Sequence, residues 1–295
     1  MKKNWNVTTV LLLCLGCLSL SVQAAKFKPF VSAEPVQGSI EDATETVKGK
    51  LTSAGFEVVG VYAPYADNSA RIIGVTNKEL KKNGGTHNKA GFAAVMRVSV
   101  TANNGVMEVS YTNPPYHGMA YHVGTLANIA KQLSAALGGG NTFGAKGLSK
   151  GDLSDYHYQM FMPYFEDAIT IASFSSHKKA VAAAKKSLAH AKSDMTQVWE
   201  VKVNDRQTVL GAQLNRGWWK GQIQKIMDKV DTGTPRSTAA LPWEVLVTGN
   251  DIVYLPGRFR IALMFPDLTM SSFMNIMEVP GQMEASANKL SELSK

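Results

Sequence analysis

The chain has 295 residues, 45% of them apolar and 18% charged, with 31 Lys and Arg against 23 Asp and Glu for a net charge of +8. The length supports one or two ordinary hydrophobic cores. The positive residues are scattered, which suits solvated faces and excludes a concentrated nucleic-acid groove. The only cysteines, Cys14 and Cys17, fall in a segment expected to be removed, so the remaining chain has no disulfide, thiolate metal site or cysteine nucleophile.

Residues 1–24 read as a secretory signal peptide. Lys2 and Lys3 form a positive start, and Val10 to Leu20 is an apolar stretch too short to span a bilayer. Val22-Gln23-Ala24 then offers a cleavage site, which makes Ala25 the expected first residue of a periplasmic or secreted protein. Gly16-Cys17 leaves a lipoprotein start as the alternative. No later apolar run is long enough for a membrane span. A basic exported surface suits contact with anionic lipid head groups or polysaccharide.

Phe30-Val31 predicts a short strand. Ser39, with Asp42 three residues on, predicts the cap of a helix striped by Ile40, Ala43, Val47 and Leu51. Strands follow at Phe56–Tyr62 and Arg71–Val75, then a brief Lys78–Lys82 segment and a Gly84-Gly85 turn. Over residues 95–104, Met96, Val98 and Val100 alternate with Arg97, Ser99 and Thr101, the pattern of a half-buried strand. Asn103-Asn104-Gly105 is a hairpin signal. Leu126, Ile129, Leu133 and Leu137 predict a closing helix.

The glycine-rich stretch Gly138–Gly151 reads as a linker, after which the order of elements repeats. Ile169–Ile171 is a strand candidate, Ser176 a cap, and Val181, Ala184, Leu188 and Ala191 a helical stripe. Strands are expected at Val198–Val203 and Thr208–Ala212. Trp219, Ile223, Ile226, Met227 and Val230 then predict an amphipathic helix that the first half lacks. Residues 242–251 lie over 95–104. Allowing five extra residues, Ile252 to Pro256, the strand reading places 257–267 over 105–115, matching Gly105 to Gly257, Val109 to Ile261 and Pro114 to Pro266. Pro280 begins a last helix carrying Met283, Leu290 and Leu293. The organisation expected is therefore a signal peptide (1–24), a first α+β repeat (29–137), a connecting segment (138–167) and a second repeat (168–295).

Gly55-Phe56-Glu57-Val58, Leu241-Pro242-Trp243-Glu244-Val245-Leu246-Val247 and the prolines Pro114 and Pro266 resemble the domain of unknown function 302, present as two tandem copies. The first copy departs from the pattern, with Phe92-Ala93-Ala94 in place of the Leu-Pro start. The resemblance implies an α+β fold, each half a mostly antiparallel sheet with helices packed against it, and it carries over no catalytic residues. Two such halves are expected to pack as a pseudo-dimer that buries Trp218 and Trp219 between them, with any ligand in the shared crevice near the loops after Pro114 and Pro266.

Gly147-Leu148-Ser149-Lys150-Gly151 matches the nucleophile-elbow pattern but lacks the supporting strand that chemistry needs. The segment most loaded with ligating groups is Asn113 to His122, where His117, Met119 and His122 sit on a loop expected to be exposed. His157, Met160 and Met162 form a second group. Imidazole and thioether together suit copper, and a haem role is the related alternative. The function expected is non-catalytic binding of an unknown small molecule or protein partner. The alternative is a periplasmic copper or haem protein using His117, Met119, His122 and His157.

Overall fold

The computed structural model describes residues 25–157 and 162–294; the expected leader lies outside the described residues. In the first half, β1 (Phe30–Ser32), α1 (Ile40–Ser53), β2 (Glu57–Tyr62), β3 (Ala70–Thr76) and α2 (Lys78–Gly84) lead to the hairpin β4 (Met96–Asn103) and β5 (Val106–Thr112), followed by α3 (Pro114–Ala120) and α4 (Ala127–Leu137). After β6 (Thr142–Phe143) and α5 (Lys150–Ser154), the second half runs β7 (Ile169–Ser173), α6 (His177–Ala189), β8 (Met195–Asn204), β9 (Gln207–Leu214) and α7 (Gln222–Val230). It ends with β10 (Trp243–Thr248), β11 (Asp251–Tyr254), α8 (Gly257–Met264), α9 (Met270–Met274) and α10 (Val279–Ser294). No helix of the described residues is long and apolar enough to cross a membrane.

Both sheets are antiparallel, with orders β2-β3-β4-β5-β1-β6 and β7-β11-β10-β9-β8. Leaving out β6 and reading the second from its other edge, the strand order is the same. Register makes the match residue by residue: Gly60 pairs with Gly74 and Gly74 with Arg97, while Trp199 pairs with Gly211 and Gly211 with Glu244. Strands β2 and β8 each carry an irregularity at the corresponding place, between Val58 and Gly60 and between Gln197 and Trp199. The fold is α+β, two similar sheet-and-helix halves arranged as a pseudo-dimer.

Each sheet is covered on both faces. On its outer face the first sheet sets Val98, Val100, Ile73 and Tyr111 against Val47 and Leu51 of α1 and Ile129 and Leu133 of α4. The second does the same with Leu210, Val245 and Val247 against Ala184 and Leu188 of α6 and Met283 and Leu290 of α10. The caps form as the sequence predicts: Ser39 accepts from the Asp42 amide and Ser176 from the Lys179 amide.

The inner faces meet each other. Trp199 lies across both sheets, close enough that a Cβ on Gly211 would stand 2.3 Å from its Cε2 and one on Gly74 2.8 Å from its Cε3. The strand expected to be half-buried is thus buried on both faces. Arg97, Ser99 and Thr101, the polar half of its alternation, all face the other half or its neighbours and are all paired. Arg97 Nη1 donates to Glu244 Oε2 (3.0 Å), with side chains 2% and 1% exposed. Thr101 Oγ1 donates to Thr238 Oγ1 (3.0 Å), and Ser99 bonds Ser110, whose hydroxyl donates to the Arg236 carbonyl. The packing is reciprocal. Thr238–Ala240 rests on β4, while Ala90–Ala93 rests on β10, with the Gly91 amide donating to Gln207 Oε1 (3.0 Å).

Three expectations need correction. Residues 257–264 form helix α8 and not a strand; the hairpin partner of β10 is the four-residue β11, three of whose residues lie in the stretch set aside as an insertion. The matches of Gly105, Val109 and Pro114 to Gly257, Ile261 and Pro266 therefore fail, and Pro114 and Pro256 stand instead at the starts of corresponding helices. Trp219 packs in the second half's own core, and Trp199 is the tryptophan between the sheets. The glycine-rich stretch is laid along the first sheet: Thr142 and Phe143 pair with β1, and a Cβ on Gly140 would stand 1.4 Å from the Ser32 carbonyl oxygen.

Because the Trp199 ring occupies the space a methyl at position 211 would need, Gly211→Ala should lower stability by about 1–3 kcal/mol, the usual cost of overpacking. The loss should be far smaller in a Trp199→Leu background. Denaturant titration of the four proteins checks this, and equal losses in both backgrounds would contradict it.

Candidate functional site

Helix α7 stands in the same link as α2 of the first half, but it is longer and carries an apolar face, and it forms one wall of an apolar cleft. Ile223, Ile226, Met227 and Val230 fall on one face of α7 because they are spaced by three and four residues, and that face lies over an apolar trough. The opposite walls come from Leu214 of β9, Trp243 of β10, Ile261 and Met264 of α8, and Val279 and Met283 of α10. The cleft encloses about 90 Å³ and is open to solvent along one side, so an occupant that fills the about 300–1,000 Å³ of common small-molecule sites would lie partly outside it.

Two of its polar side chains, Trp219 and Arg260, are committed elsewhere, while the buried Nε1 of Trp243 has no hydrogen-bond partner among the described residues. Trp219, a wall residue 1% exposed, is fixed by a relay: its Nε1 donates to Ser286 Oγ (2.9 Å), Ser286 Oγ donates to Asp194 Oδ2 (3.0 Å), and Lys289 pairs with Asp194 Oδ1 (2.7 Å). Arg260 closes the inner end. Its guanidinium donates to Tyr121 Oη (3.2 Å) and to the carbonyls of Ala240 (3.2 Å) and Pro242 (3.0 Å), so the cleft floor is tied to the interface between the halves. At the rim, α7 is held by Gln224 Nε2 donating to Asp67 Oδ2 (2.6 Å) and Lys229 Nζ to the Asn275 carbonyl (3.0 Å). Below the end of α7, burial pushes the Asp231 carboxyl up to about 6, although two bonds from the Ser237 amide favour its ionised form.

A second apolar cleft of about 80 Å³, also open to solvent, adjoins it along α8 and is lined by Met162, Arg258, Phe265, Leu268, Met270 and Phe273 among others. Ile261 and Phe265 line both clefts. Beside them, Met270, Met274 and Met277 are exposed by 62%, 56% and 61%.

The His/Met residues singled out in the sequence lie elsewhere. His117 is not on an exposed loop: it sits inside α3, 1% exposed, with Nε2 against the Pro29 carbonyl (3.1 Å) and its ring between Tyr116 and Tyr121. Met119 is packed in the core between the halves. His122 is at the surface, its Nδ1 3.0 Å from Glu166 Oε1 and its ring 6.5 Å from that of His87. His157 stacks on Tyr164 at 4.4 Å, and Met160 lies outside the described residues. Among the described residues no three His, Cys, Asp or Glu side chains are grouped so as to hold a metal ion. Ser149 caps α5, accepting from the Asp152 amide (3.1 Å).

No family model matches the chain, and no curated protein matches it. A solved structure described as an uncharacterized conserved protein DUF302 from Bacillus stearothermophilus is similar over 38% of this chain and 97% of that one, with 18% identity and a TM-score of 0.32. A likeness at that level carries no functional reading.

His117 supplies a pH test. Burial, aided by the Arg97 and Arg260 charges, holds its pKa well below the ordinary 6.5. The unfolded chain takes up a proton near pH 6.5 that the folded state refuses, so this group's contribution is full above about pH 6.5 and is lost as pH falls. Asp231 acts the other way: its folded pKa is raised, so its contribution falls as pH rises from about 4 to about 6. Comparing wild type with His117→Gln cancels the Asp231 effect. The stability gap between the two should narrow from pH 7 to pH 5 in denaturant titrations; a gap that widens would contradict the assignment.

Proposed function

We propose that this is an exported binding protein whose ligand is an apolar small molecule held in the cleft beneath α7. The single observation that carries the reading is the cleft itself. It is lined almost entirely by apolar side chains, its Trp219 and Arg260 are fixed by internal hydrogen bonds, and the buried Nε1 of Trp243 has no partner among the described residues. Leaving such surface open in a monomer costs stability, and large exposed apolar patches mark binding sites. The signal-like start supports an extracytoplasmic setting.

We also propose that the chain is a tandem duplication of a domain like that of unknown function 302, with the second copy remodelled to bind. The identical strand order and paired bulges support duplication. The remodelled place is the link between β3 and β4 in the first half and between β9 and β10 in the second. In the first half this link begins with the polar Lys78–Gly84 helix, and in the second it holds α7.

The test is titration of the purified, delipidated protein with the uncharged fluorophore N-phenyl-1-naphthylamine. Saturable binding of one probe per chain is expected. Ile226→Lys, which places a charge on a half-buried position of the cleft wall, should weaken binding by about ten-fold or more, because burying an unpaired ammonium is costly. Its melting should change little. Probe binding unchanged by Ile226→Lys would remove this cleft as the site.

A further inference from the structure

We infer that the two clefts form one elongated site for a single-chain amphiphile with an anionic head, the head held by Arg258 and the chain running past Phe265 into the cleft beneath α7. This rests on the binding reading above and names the ligand class.

The two clefts share the side chains of Ile261 and Phe265, so an occupant of one abuts an occupant of the other. A trough that turns past these two residues fits a flexible chain better than a compact ring system. Methionine is the most adaptable apolar lining, and Met162, Met264, Met270 and Met283 are spaced along the course.

Charge fixes the direction. Arg258 is exposed, lines the outer cleft, and has no hydrogen bond or ion pair among the described residues. The nearby carboxylate Asp267 is turned to the Lys146 amide (2.6 Å). Arg260, two residues on, is the opposite case: it is buried and bound to Tyr121, Ala240 and Pro242, leaving it poorly placed to take a carboxylate. A guanidinium with free donors recognises a carboxylate by two parallel hydrogen bonds. The inner end, with no such group, takes the tail.

Displacement of the bound fluorophore by octanoate, tetradecanoate and tetradecanol separates the possibilities. Each additional buried methylene is worth about four-fold in affinity, so tetradecanoate should bind on the order of a hundred-fold or more tighter than octanoate even if only part of the extra chain is buried. Arg258→Glu should weaken tetradecanoate by about ten-fold and leave tetradecanol within about two-fold, since only the charged head is affected. Equal affinity for the two acids, or an Arg258→Glu protein that holds tetradecanoate as well as wild type, would overturn the inference while fluorophore binding kept the apolar-ligand reading. Loss of both acid and fluorophore binding in the wild type would remove both.

Discussion

Opposite charges at corresponding positions organise this protein. Arg97 and Glu244 are the second residues of the two central strands, each flanked by a glycine of the neighbouring strand, and they meet in the dry space between the sheets. Two unpaired ions there would be untenable, because removing one partner of a buried pair costs about 3–5 kcal/mol. A pair of apolar residues would bind the sheets at least as well, so the pair is better understood as a specificity device. In a dimer of identical halves, the same residue would face itself across the axis. Arg against Arg or Glu against Glu is repulsive, and Arg against Glu is satisfied only when first half meets second half. The ion pair thus converts two similar domains into one molecule.

That constraint reaches the cleft. Arg260 near the inner faces is held by Tyr121 of the first half, and the loop from Asp231 to Ala240 is fastened by Ser110 and Glu108 of β5. The second half can open a trough under α7 because its other sheet face and its loops are anchored on the first half. One half serves as support for the cleft carried by the other.

Much of this was legible in sequence. Capping serines, helical stripes and the repeated order of elements emerge from local chemistry, and α7 stands out by its apolar spacing. The misreadings have a common cause, burial that local pattern cannot report. Arg97, Ser99 and Thr101 look solvent-facing until a second sheet supplies their partners. Phe259, Ile261 and Leu263 alternate with Arg258 and Arg260 as in a strand. The segment is a helix because Arg260 finds internal acceptors and β11 already occupies the place beside β10, with β7 on its other side. His117 looks like a loop ligand because nothing local reveals that it will be covered. Arg258, the inferred head-group residue, gives no sequence signal beyond its charge.

The most direct measurement is the charge exchange Arg97→Glu with Glu244→Arg, set beside each single reversal, with stability read by denaturant titration. Each single change places like charges at the axis and should fold poorly or lose several kcal/mol. Because the two positions correspond across the pseudo-two-fold, the double exchange should recover most of that loss. A double exchange no more stable than the worse single reversal would contradict the pairing of the halves through these two residues.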